Sequence, residues 1–201
     1  MGGSVCVNAM SFDAMRVRAA LDSGARLWHV LVIKNLALAT LVAPLGFLLC
    51  ALLAWRAGDF GAFIMACTLT ICFILLWLGV GNVLSVFLPI RDEPIRNRRK
   101  SGSLKQFAIA FAVAYGVGYL VNLMLLWRVF AAQQLAARLG GAVIPLILIV
   151  LSCLASWLLL TVFALALAQQ PKVRRTLMRE IADHGANAEA QAYRDEVART
   201  G

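Results

Sequence analysis

The chain has 201 residues, 62% hydrophobic and only 14% charged, with a mean hydropathy of +0.82. Soluble domains are about half apolar and about a quarter charged, so this composition excludes a soluble globular fold. Nineteen Lys and Arg against ten Asp and Glu leave a net charge of +9. The basic residues flank long apolar runs, so membrane topology and an anionic leaflet explain the charge better than a nucleic-acid partner.

The chain divides into an amino-terminal segment over 1–34, a membrane domain over 35–168 and a charged tail over 169–201. The first segment carries Asp13, Arg16, Arg18, Asp22 and Arg26 and has no apolar core of secretory-signal length, so no cleaved signal peptide is expected. MGGSVC begins like a myristoylation site but places Cys6 where Ser or Thr is required. GARLWHVLVIK, ending at Lys34, mixes basic and apolar residues and predicts an interfacial elbow helix.

A bilayer core of about 30 Å needs about 20 helical residues. Four charge-free stretches meet that length: Asn35 to Trp55, Phe60 to Ile90, Gln106 to Trp127 and Leu139 to Ala168. They predict spans at about 35–55, 62–88, 106–127 and 142–168, separated on one side by a basic loop over 91–105. Unbroken apolar runs without alternating polarity fit helices and not a barrel, so the expected fold is an all-α, polytopic helical membrane protein. The tail, from KVRRTLMREIADHG onward, predicts solvated cytoplasmic helices.

Counting Lys and Arg on alternate sides gives sixteen against three. The positive-inside rule then predicts that both termini are cytoplasmic. On this reading Trp55 and Trp127 mark the outer ends of their spans, and Arg128 and Arg138 lie in an outer loop.

Membrane enzymes place ionisable groups in their spans, and these four stretches contain no Asp, Glu, Lys, Arg or His. Thr68, Thr70, Ser85, Ser152, Ser156 and Thr161 have no base at depth and read as helix-packing residues. There is no phosphate-binding GxxxxGK[ST] loop, and neither His29 nor His184 has a second His at ligand spacing. Cys50, Cys67, Cys72 and Cys153 lie in apolar runs and read as small hydrophobes. No catalytic, cofactor or metal site is expected, and the chain does not read as an enzyme.

Ala110, Ala114 and Gly118 recur every fourth residue with Gly116 alongside, which predicts a smooth face for close helix approach. Two readings stay open: packing within the bundle, or against another subunit. Asn82 and Asn122 are candidates for interhelical hydrogen bonds, and Pro44 and Pro145 for kinks. The segment Gly79 to Lys100 sets Gly81, Asn82, Ser85 and Pro89 before a basic loop. It reads either as a docking surface for a soluble partner or as a positive-inside anchor.

Three blocks resemble bacterial permease subunits of ABC exporters, those with the second type of ABC membrane domain. NAMSFD (Asn8 to Asp13) resembles the family's Asn, Phe-Gly and Asp segment, with Ser11 and Phe12 in place of the Phe-Gly pair. LWHVLVIKNLAL (Leu27 to Leu38) resembles its elbow, with Ile33 where the family favours Gly, and GNVLSVFLPIR (Gly81 to Arg91) its Gly-Asn, Ser and Pro block. The order places the chain as the carboxy-terminal half of such a permease, in a bacterial inner membrane.

The resemblance implies a separate ATPase subunit docked through Lys34, Asn35, Arg91, Arg96, Arg98, Arg99 and Lys100. It also implies a path or packing seam at Gly81, Asn82, Ser85, Pro89, Ala110, Ala114, Gly118 and Asn122. Four spans are fewer than a translocation path normally uses, so assembly with a second copy, another membrane chain or a separately encoded first half is implied. The alternative expectation is a four-span scaffold or regulator whose active part is its tail.

Overall fold

A computed structural model describes residues 14–87 and 104–178. They form α1 (Ala14–Asp22), α2 (Leu27–Ala57), α3 (Phe60–Phe87), α4 (Leu104–Leu139) and α5 (Val143–Gln169), with a further helical segment over 171–178. Strands are absent among the described residues, and four of the helices are long and apolar enough to cross a membrane. The protein is an all-α, polytopic membrane protein. The basic loop over 91–105 lies outside the described residues as far as 103, as does the tail beyond 178.

Local chemistry sets the turns at one end of the bundle. Gly58 closes α2 at φ 68°, its N–H donating to the Ala54 carbonyl at 2.8 Å. Asp59 then caps α3: its Oδ1 accepts from the Gly61 and Ala62 N–H groups at 2.8 and 3.1 Å. Gly140, at φ 63°, ends α4 in the same left-handed conformation, which a residue with a Cβ adopts only at a cost.

The longest contact in the molecule is between α3 and α5, which run parallel. Helix α2 lies against α3, and α4 lies against both members of the central pair. Cys72, Leu76, Val80, Leu84, Val121, Ile149 and Cys153 form the core at mid-height. A second cluster closes the end opposite the glycine turns, where Val17, Val30, Leu31, Val86, Ala164, Ala168 and Leu177 meet. Outward faces of α2, α4 and α5 expose Leu, Ile, Phe and Trp, as lipid contact requires.

Three sequence expectations change. The chain does not turn between Lys34 and Asn35; α2 is one helix from Leu27, and the turn comes at 23–26, where Ser23, Gly24 and Ala25 donate back to α1 carbonyls. Pro145 sits in the first turn of α5, where its missing N–H costs no helical bond, while α2 continues through Pro44. Helix α4 continues twelve residues past Trp127 to Leu139, so Arg128 lies inside a membrane helix and not in a loop. Trp127 accordingly lies near mid-height, beside Phe130.

Candidate intramembrane polar site

Helices α3 and α5 are about 42 and 40 Å long at 1.5 Å per residue, and Arg128 lies about 18 Å along α4 from Gly140. Its guanidinium is therefore close to mid-height. An Arg at that depth costs roughly 2.5–3.5 kcal/mol on insertion scales. Two groups on α5 receive it: Nη1 donates to Cys153 Sγ at 3.1 Å and Nη2 to Ser156 Oγ at 2.6 Å. The Ser156 hydroxyl in turn donates to the Ser152 carbonyl at 2.9 Å. Cys153 and Cys72 are both fully buried in the same core cluster. Helices α2 to α5 carry no Asp or Glu, and the ion pair recorded among the described residues, Arg18 with Asp22, is in α1.

The second polar feature is the seam between α3 and α5. Asn82, 2% exposed, donates through Nδ2 to Thr161 Oγ1 at 2.9 Å, and the Thr161 hydroxyl donates to the Trp157 carbonyl at 2.7 Å. Such interhelical bonds average about 0.6 kcal/mol in membranes. Close approach is set by Gly79: a Cβ there would stand 3.1 Å from the Trp157 Cα and 3.0 Å from Leu160 Cδ1. Gly118 does the same for α4, where a Cβ would meet the Trp77 ring at 2.7 Å.

The candidate residues from the sequence divide accordingly. Gly81, Asn82 and Ser85 are buried, in a stretch from Leu78 to Val86 where every residue but Val83 is buried. Gly118 is buried against Trp77, within the bundle, whereas Gly116 and Asn122 are exposed. Ala110 and Ala114 fall on α4, but their side chains lie outside the described residues. Lys34 is half-buried, and Asn35 is 4% exposed with its Nδ2 unpartnered. Pro89, Arg91, Arg96, Arg98, Arg99 and Lys100 lie outside the described residues.

Sequence reasoning missed Arg128, because the first charge after an apolar run was taken as the end of the span. The signal that locates the helix end is Gly140-Gly141, not Arg128; VFAAQQLAARL between them contains no helix breaker. Thr161 as partner of Asn82 carried no sequence signal. Two further groups belong to the same interior: the Trp77 and Trp157 Nε1 atoms are buried without a hydrogen-bond partner. No family model, curated protein or solved structure matches the chain.

Proposed function

We propose that this protein is a membrane-spanning component of an ATP-driven ABC-type exporter that docks a separate ATPase. What carries the reading is the inward placement of the block that resembles that family. Gly81, Asn82 and Ser85 are buried in the central helix α3, and Asn82 is tied to α5. A rigid central pair joined to the basic loop is suited to passing motion from a soluble partner into the membrane. The loop shifts the bundle only if the ATP-bound partner prefers one arrangement of it.

On this proposal both termini and the 91–105 loop are cytoplasmic, in a bacterial inner membrane, and a second membrane chain completes the path. The scaffold reading assigns activity to a tail, but Leu177 is 1% exposed and packed among Val17, Leu31 and Val86. The start of the tail is thus part of the bundle. Purification from native membranes in mild detergent is expected to recover an ATPase subunit. Changing Arg96, Arg98, Arg99 and Lys100 to Glu is expected to release it. An intact chain recovered without any ATPase would overturn the proposal.

A further inference from the structure

Arg128 presents five N–H donors, and the bonds to Cys153 and Ser156 use two. Neither acceptor is a carboxylate, and one of them is a sulfur. No carboxylate on α2 to α5 balances the charge. Trp157, the neighbour of Ser156, and Trp77 add two buried indole N–H groups without acceptors. The Trp77 ring packs at Gly118, ten residues from Arg128 along α4, so the donor excess at the guanidinium itself is that of Arg128. Buried polar groups are ordinarily satisfied, and an ionisable residue within a membrane ordinarily has a partner.

About one helical turn from this site toward the glycine turns, at the level of Ala132 and Ile149, lies an apolar cavity of about 40 Å³ between α3, α4 and α5. Leu69, Val129, Ala132, Leu146 and Ile149 are among its walls. Val129 follows Arg128, and Ile149 lies one turn from Cys153. One water-sized group needs only roughly 10–15 Å³ by the same measure. The cation and the apolar pocket are thus about one helical turn apart along α4 and α5, and Arg128 itself is half-buried and not enclosed.

We propose that Arg128 binds the carboxylate of a single-chain amphiphile, with the first carbons of its chain against the apolar cavity between α3, α4 and α5. A carboxylate matches the planar donor fork of Arg. Among anions it is also the one that a weakly polar lipid-soluble molecule carries to this depth by protonation and release. The site does not depend on ATPase docking, so it is tested on the chain alone.

The experiment uses the full chain in phosphatidylcholine nanodiscs, with tryptophan quenching by a dibrominated stearate as the readout. The acid is expected to quench saturably, and its methyl ester only in proportion to bulk partitioning. Arg128→Gln is expected to weaken the saturable component by about tenfold or more, as loss of a charged hydrogen-bond donor does. Arg128→Lys is expected to retain part of it. The Gln variant removes a charge that opposes insertion, so it tests binding without an added burden on folding. Equal quenching by acid and ester, or by wild type and Arg128→Gln, would overturn the proposal. Displacement by lysophosphatidate but not by oleate would reassign the site to a phosphate headgroup. Faster alkylation of Cys153 in the wild type than in Arg128→Gln, with no acid binding, would make the Cys153 thiolate the counter-charge instead.

Discussion

The two polar contacts that α5 makes differ in kind. On its α3 side, Asn82, Thr161 and the Trp157 carbonyl form a closed neutral relay, and Gly79 lets the backbones approach. On its α4 side, Arg128 meets Cys153 and Ser156, and no carboxylate on α2 to α5 pairs with it. The first arrangement is what helix association in lipid uses: small residues, tight packing and satisfied hydrogen bonds. The second adds a cost that packing does not require. That difference separates a contact that holds the bundle together from one whose cost packing does not explain.

Substitution sharpens the comparison, and the largest expected effect falls on the charged side. Arg128→Leu should make insertion of the α4 segment more favourable by about 3 kcal/mol in a glycosylation-based membrane-insertion assay. An unchanged insertion equilibrium would mean that the guanidinium already reaches water, and the contrast with α3 would vanish. Next comes the seam itself. Gly79→Leu drives a side chain into the Trp157 backbone and Leu160 and should destabilise the bundle by about 2 kcal/mol, read as a lower Tm in detergent. A Tm equal to wild type would place the tight contact elsewhere. The smallest effect is expected for Asn82→Leu, a loss of about 0.6 kcal/mol, because Thr161 keeps its bond to the Trp157 carbonyl. A loss several times larger would show that Asn82 does more than join two helices.

Much of the fold was legible in the residues. Lipid demands that each crossing segment satisfy its own backbone, so Leu36 to Trp55 or Val143 to Ala168 had to be helical whatever their neighbours. The short break between the first two apolar runs marked a turn, which Gly58 and Asp59 make through ordinary capping chemistry. The candidate site was legible only in part. Asn82 and Ser85 were singled out as polar groups in an apolar run, and both are buried. Asn122, chosen on the same ground, faces outward. The two choices looked alike because a helix that is apolar all round has no periodicity to say which side meets protein and which meets lipid. Arg128 was misread for a related reason: hydropathy ends a span at a charge, while a helix ends where its backbone hydrogen bonding does.

The sequence alone determined the number of crossing helices and the all-α class, because chain length and backbone hydrogen bonding in lipid leave no other solution. Only the tertiary structure decided that α3 and α5 form the centre, that Asn82 pairs with Thr161, and that Arg128 is carried to mid-height opposite Cys153 and Ser156. Those outcomes depend on which helix faces meet. In a solvent as apolar as the side chains themselves, close packing and a few polar contacts choose the faces, and hydrophobicity does not.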